Sequence, residues 1–250
     1  MSAALETIGL HRRFGALIVA NDINFRLEAG ARHALIGPNG AGKTTFINLI
    51  TGRLAPSAGR ILLGGEDITG LAQSVRVRRG LGRTFQINTL FRGLSALENV
   101  SLAVGEREGI GGRMLRAPGS YRAVHEQAYA LLERLRIADV ALTPVKELPY
   151  GKQRLVEIAV GLGLRPTVLL LDEPAAGVPS TESIIILEVI EQLPADIAVL
   201  IIEHDMELVF RFARRITVLV QGSVLLEGAP AEILADARVR EVYLGERQHG

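Results

Sequence analysis

Nine consecutive residues, Gly37, Pro38, Asn39, Gly40, Ala41, Gly42, Lys43, Thr44 and Thr45, carry the chemistry most readily read from this chain. They follow the apolar run Ala34-Leu35-Ile36 and precede Phe46-Ile47-Asn48-Leu49-Ile50, which has a helical pattern. A glycine-rich turn between a buried strand and a helix leaves consecutive backbone N–H groups free at the helix N-terminus. Those donors, the helix dipole and the Lys43 ammonium together make a cradle for polyphosphate. Thr44 then supplies a hydroxyl to Mg²⁺, and Thr45 bonds an α-phosphate. The alternative, an ordinary glycine turn with a chance lysine, leaves the flanking strand and helix unaccounted for.

Two acids stand at a second place where such chemistry needs them. Asp172, Glu173 and Pro174 follow the apolar run Val168-Leu169-Leu170-Leu171. A buried strand ending this way delivers both carboxylates to the carboxyl edge of a sheet, where ligands of open α/β sheets bind. Asp172 is suited to holding the Mg²⁺ shell and Glu173 to taking a proton from an attacking water. A solvated turn is the plainer reading of two such acids alone. Beside a phosphate cradle they point to hydrolysis of a nucleoside triphosphate, which needs a metal holder and a water-positioning group. His204 follows the next apolar run, 198–202, and is expected at the same edge with a γ-phosphate contact; a structural histidine is the alternative. Gln86 comes just after the run 81–84, and its amide suits both metal and water. Arg76, Arg78, Arg79 and Arg83 sit nearby and are expected to form a solvated face with no catalytic part.

The elements that must position these groups alternate short apolar runs with amphipathic helical patterns, which is α/β architecture. Strands are expected at 31–36, 61–63, 81–84, 168–171, 198–202 and 216–220. The runs 168–171 and 198–202 lack polar alternation, as central strands covered on both faces should. Gln221-Gly222 reads as a hairpin turn between 216–220 and 224–227. From about 88 to 165 the pattern turns helical: Val124, Ala128, Leu131, Leu132 and Leu135 share one face, as do Leu155, Ile158, Ala159 and Leu162. Residues 105–119, rich in Gly and Arg, read as an exposed loop between helices. One domain spanning 1–250 is expected, with 1–87 and 166–250 as the α/β core and 88–165 as a helical subdomain.

Composition narrows the classes. The 250 residues suffice for one α/β domain with a subdomain, and 48% are hydrophobic, enough for a sizeable core. A balance of 28 Lys+Arg against 27 Asp+Glu gives a net charge of +1, which carries no nucleic-acid footprint. There are no cysteines, hence no disulfides, thiol catalysis or Cys-based metal site. The start lacks the pattern of a signal peptide, and no apolar run approaches the roughly 20 residues that span a bilayer. A soluble, cytosolic chain is expected.

The order and approximate spacing of phosphate loop, Gln86, Asp172 with Glu173, and His204 resemble those of the ATPase subunits of ABC transporters, over nearly the whole chain. The resemblance implies a P-loop NTPase core with a mixed sheet, an N-terminal antiparallel β part and a helical insertion, with ATP and Mg²⁺ as ligands. It also implies that Phe14 stacks on adenine; a core aromatic is the other reading of that residue. The family's signature, commonly Leu-Ser-Gly-Gly-Gln-Gln-Arg, is matched by Leu148-Pro149-Tyr150-Gly151-Lys152-Gln153-Arg154. Pro149 is tolerated in a first helical turn but removes the serine hydroxyl expected at a γ-phosphate. Lys152 adds a cation that faces either phosphate or solvent. These departures, the Ala175-Ala176-Gly177 loop, Glu203-His204-Asp205-Met206 and Val242-Tyr243-Leu244-Gly245 resemble the branched-chain amino acid uptake branch, and within it the longer of two paired ATPases.

The resemblance implies a partnership as well as a reaction. The signature lies in the helical insertion, away from its own phosphate loop, so Pro149, Tyr150, Gly151 and Lys152 are expected to complete the site of a second chain, identical or paralogous. Transmembrane permease subunits, and indirectly an external solute-binding protein, are the expected partners at the cytoplasmic face of the membrane. Gln86 with residues 87–94 is the natural place for a permease loop to act. A repair ATPase of this superfamily would need long heptads or zinc-spaced cysteines, and a translation factor two phosphate loops. A regulatory module without turnover is the remaining alternative.

Overall fold

The computed structural model describes residues 3–84, 90–109 and 118–245. Gln86, expected at the site, lies outside the described residues, as do 87–89 and most of the expected Gly/Arg-rich loop. The chain begins with β1 (Ala3–Phe14), β2 (Leu17–Glu28), β3 (Arg32–Ile36), α1 (Lys43–Thr51), β4 (Ala58–Leu63), β5 (Glu66–Asp67), α2 (Gln73–Arg78) and β6 (Leu81–Arg83). Helices α3 (Ala96–Arg107), α4 (Pro118–Arg134) and α5 (Tyr150–Gly163) follow. The chain then returns to sheet with β7 (Val168–Asp172), α6 (Ser180–Glu191), β8 (Ala198–Ile202), α7 (Met206–Phe212), β9 (Arg215–Val220) and β10 (Ser223–Gly228). It ends in α8 (Pro230–Ala235) and α9 (Ala237–Gly245).

Two sheets result. One is antiparallel, in the order β2-β1-β4-β5, and the other runs β10-β9-β3-β8-β7-β6. In the second, β9, β3, β8, β7 and β6 are parallel neighbours and β10 closes the edge antiparallel. The period of two in side-chain direction divides this sheet's apolar residues between two cores. Val168 and Leu170 of β7 and Leu200 of β8 face the layer where Phe46, Leu49 and Ile50 of α1 meet Leu10, Ile23 and Phe25 of the antiparallel sheet. Leu169 and Leu171, with Val199 and Ile201, face the other layer and join residues of α3, α4, α5 and α6. Helix α1 is thus clamped between two sheets, and its N-terminus carries the phosphate loop.

The helical faces read from the pattern are buried: Val124, Ala128 and Leu132 on α4 with Leu135 just past its end, Leu131 being partly buried, and Leu155, Ile158, Ala159 and Leu162 on α5. The span 105–119 expected as a loop is helical at both ends, with α4 beginning at Pro118. Helix α3 continues through Gly105, Glu106 and Arg107, because the Arg107 guanidinium donates to the Gly163 carbonyl at the end of α5, 2.7 Å away. The turn at Gln221 and Gly222 has φ of 48° and 78°, the two left-handed positions of a twist-matched hairpin.

One buried pair on α5 gives the molecule a pH signature. Arg154 and Glu157 lie at i, i+3 and bond at 2.9 Å. Burial pushes the Glu157 carboxyl up from its ordinary 4.5 to about 7, against the opposing pull of Arg154. Its contribution to stability is therefore full below 4.5 and lost as pH rises through about 7. Buried His33, bonded at 2.8 Å to Thr217 Oγ1, runs the other way. Burial lowers its imidazole from 6.5 to about 4, so its contribution is full above 6.5 and lost as pH falls towards about 4. Glu157→Gln removes the first slope and keeps the second. The melting temperature of this variant should therefore climb with pH through this range more steeply than that of the wild type. Superimposable melting profiles across a pH series would assign Glu157 an ordinary carboxyl.

Candidate functional site

The phosphate loop owes its shape to close packing. Gly37 and Gly42 have φ of 153° and 100°. A Cβ at Gly37 would run into the Leu219 carbonyl oxygen, and one at Gly42 would sit 2.8 Å from that of Val19. Only glycine fits these positions. The β9–β10 turn braces the loop from the side: Gly222 N–H donates to the Ala41 carbonyl at 2.9 Å. Gly42 is the N-cap of α1 and provides no side-chain cap, so the first-turn N–H groups point to where an anion binds. Lys43 Nζ bends back over the loop and donates to the carbonyls of Gly37 and Pro38, the latter at 2.9 Å. Charge-assisted contacts of this ammonium to a triphosphate are worth about 1.5–3 kcal/mol. Lys43→Ala should accordingly weaken MgATP binding by roughly ten- to a hundredfold in calorimetric titration. An unchanged affinity in the folded variant would remove Lys43 from the cradle.

The parallel register brings the acids to the same edge. Asp172 pairs with Ile202 across β7 and β8, Leu35 pairs with Ile202 across β3 and β8, and Glu173 N–H donates to the Ile202 carbonyl at 2.9 Å. Glu173 has a φ of 48°, an uncommon conformation for a residue with a side chain, of the kind kept at functional sites. Its carboxylate is half exposed, and His204 Nδ1 lies 3.7 Å from Glu173 Oε1. His204 sits where it does because Asp205 caps α7, accepting from the N–H groups of Glu207 and Leu208 at 2.9 and 3.3 Å. One cleft of about 1390 Å³ is lined by Phe14, Thr44, Thr45, Asn48, Asp172, Glu173 and others. His204 instead lines a smaller hollow of about 320 Å³ with Gly177 and Glu203. The Thr44 hydroxyl and the Asp172 carboxylate, both lining this cleft of about 1390 Å³, are hard oxygen donors of the kind that fits Mg²⁺.

Phe14 ends β1 with 49% exposure, which rules out a core aromatic. The Arg12 guanidinium lies 4.3 Å from its ring centroid, a cation–π contact that steadies the ring. At the signature, Pro149 is the N-cap of α5, and Gly151 packs so closely on Glu182 that a Cβ would collide with that carboxylate. Tyr150, Gln153 and Arg154, on one helical face, line the cleft that this chain's own Thr44 and Thr45 also line. The signature helix and the phosphate loop of one chain thus border the same open cleft. Gly151 and Lys152 are not among that lining, and Lys152 Nζ is bonded at 2.5 Å to Asp139 Oδ2 of the same chain. A role for Lys152 at another chain's phosphates requires leaving Asp139.

Pattern reading missed three groups. Arg83 and Arg76 do not belong to a solvated face. The Arg83 side chain is 9% exposed and bonds Asp172 Oδ2 at 2.9 Å, and Arg76 is 2% exposed. Arg78 and Arg79 are exposed, as expected. Glu203, also buried, accepts the Ala175 N–H at 3.2 Å. It thereby ties the loop after Glu173 to the turn holding His204, and burial raises its carboxyl above the usual range. The only local signal for Arg83 was its place in a strand bordered by apolar residues.

The fold and this edge of chemistry match a known class. The ABC transporter family model matches residues 20–176, more than half of the chain, and the chain belongs to that family. A model described as branched-chain amino acid ATP-binding cassette transporter matches residues 223–249. Relatives include the high-affinity branched-chain amino acid transport ATP-binding protein BraF of Pseudomonas aeruginosa, 39% identical, with 97% of this chain and 98% of that protein covered. LivG of Escherichia coli, with the same description, is 39% identical over 97% of this chain and 98% of its own. A nucleotide-free ATP-binding cassette from an ABC transporter superposes with a TM-score of 0.83 at 28% identity, covering 97% of this chain and 99% of the other. The ADP conformation of another such cassette gives 0.84 at 29%, covering 98% and 99%. The resemblance read from the motifs is borne out, and so is the expected fold.

Proposed function

We propose that this chain is the ATP-hydrolysing subunit of an importer for branched-chain amino acids or a related small solute. The observation that carries the reading is the single cleft where the phosphate-loop threonines, Asp172 and Glu173 meet. The descriptions of BraF and LivG support the solute class. In this reading Lys43 and the α1 N-terminus bind the triphosphate and Phe14 stacks on the base. Glu173 takes the proton of the attacking water, and His204 fixes the Glu173 carboxylate. Thr44 and Asp172, with Gln86, would hold Mg²⁺, which neutralises charge on the phosphates when bound.

Among the described residues no helix is long and apolar enough to cross a membrane. Solute movement therefore belongs to permease subunits, on whose cytoplasmic face this chain works, with a solute-binding protein outside. The α5 N-terminus of one chain completes the nucleotide site of a second, identical or paralogous, and residues 88–165 are the unit whose position reports that closure. ATP drives transport only by making better contacts in the closed dimer than in the open one.

ATP turnover measured for the chain alone, and then with its permease in vesicles, tests this. Turnover should rise with the permease and rise again with binding protein loaded with leucine. Nucleotide binding without turnover in either setting would make the chain a regulatory module. Turnover indifferent to leucine but raised by another loaded binding protein would change the solute and keep the mechanism.

A further inference from the structure

Strand β6 is short, yet its last residue reaches two elements at once. Arg83 lies on β6 beside Leu170 of β7. One guanidinium nitrogen donates to Asp172 Oδ2 at 2.9 Å, and the other to Asn48 Oδ1 at 2.9 Å. Asn48 stands on α1, one turn beyond Thr44 and Thr45, and Asn48, Thr44, Arg83 and Asp172 all line the same cleft. A rigid planar fork suits this bridge, because one cation fixes two acceptors at a set separation. The bridge ties the helix that begins with the phosphate loop to the carboxylate suited to Mg²⁺.

We propose that Arg83 is a positioning residue that holds Asp172 against α1 and sets how far nucleotide binding depends on Mg²⁺. The inference rests on Asp172 as the metal holder. The physical reason is competition for one carboxylate. Without metal, the Arg83 charge compensates Asp172 and spares an incoming triphosphate its repulsion. With metal, the same charge draws the carboxylate away from the cation and repels the cation itself. Arg83 therefore narrows the difference between metal-free and metal-bound nucleotide affinity. A purely structural bridge between α1 and β7 would alter stability and leave that difference alone.

The test compares binding of a non-hydrolysable ATP analogue by calorimetry, in EDTA and in excess Mg²⁺, for the full chain. In Arg83→Met the ratio of the two dissociation constants should widen by about ten- to a hundredfold, the usual weight of a charge-assisted bond. Arg83→Gln, which keeps a hydrogen-bonding group beside Asn48 but no charge, should widen it in the same sense and decides the matter if the methionine variant does not fold. A ratio within about twofold of wild type in a folded neutral variant overturns the inference, since such a change is far below the loss of a charged contact. Asp172→Asn separates the two readings. If it abolishes the Mg²⁺ effect while neutralising Arg83 changes nothing, only the Arg83 inference fails. If the Mg²⁺ effect survives in Asp172→Asn, the metal assignment of Asp172 fails, and the Arg83 inference with it.

Discussion

Glu173→Gln should lower ATP turnover by about 10²–10⁴-fold, the usual range for removing a general base, while ATP binding survives. The amide keeps the size of the side chain and part of its hydrogen bonding, but it has no lone pair basic enough to take a proton from water. The structure sharpens this expectation. Glu173 is held in a left-handed conformation by a backbone bond to Ile202, and its carboxylate lies at the cleft with His204 3.7 Å from it. Single-turnover hydrolysis, together with sizing of the ATP-bound variant, provides the check: closed dimers should accumulate as turnover falls. Full turnover in Glu173→Gln would pass the role of base to His204. Because His204 lines the smaller hollow rather than the cleft, that outcome would also require the loop to rearrange.

Arg76→Ala should unfold the protein far more readily, although no motif includes this residue. Its guanidinium donates to the carbonyls of Leu49 and Ile50 at 2.8 and 2.6 Å, and to those of Thr69 and Leu71 at 2.8 and 2.9 Å. Leu49 and Ile50 belong to the last turn of α1, where carbonyls lack helical partners and a cation meets the negative end of the dipole. Removing the side chain strips four carbonyls of a charged donor and breaks a buried network, so a loss on the order of 3–5 kcal/mol, the large end for a single substitution, is expected. That is a large share of the roughly 5–15 kcal/mol that keeps a domain folded. Arg79→Ala, which breaks only an exposed pair with Glu66, should stay within about 1 kcal/mol. Urea unfolding midpoints of the two variants make the comparison, and equal shifts would deny Arg76 its role as the clamp on α1.

The placement of much of the candidate site was legible because its parts are local. A phosphate loop is recognised by consecutive backbone groups between one strand and one helix, and all nine of its residues are contiguous. Asp172 and Glu173 were found because an apolar run ending in acids can only deliver them to a strand's end. The position of Phe14 was legible, but its exposure was not. That depends on β1 running out at a hairpin tip, where Phe14 pairs with Leu17. The charge run misled for a similar reason. Four arginines within eight positions look alike in sequence, yet two face water and two face backbone or carboxylate.

The sequence by itself determined the family, and it placed the groups proposed here as triphosphate cradle, metal holder and base at a parallel sheet's edge. Short-range pattern suffices there, since strand and helix periodicities alone place such groups. Only the tertiary structure decided what restrains them. Arg83 meets Asp172 across 89 residues of chain, Gly222 braces Ala41 from the far hairpin, and Glu203 reaches back 28 residues to Ala175. The direction of Tyr150 and the engagement of Lys152 by Asp139 were likewise fixed by packing. Each of these contacts joins elements that are neighbours only once both sheets have closed on α1, and no local periodicity encodes which side chain will meet which.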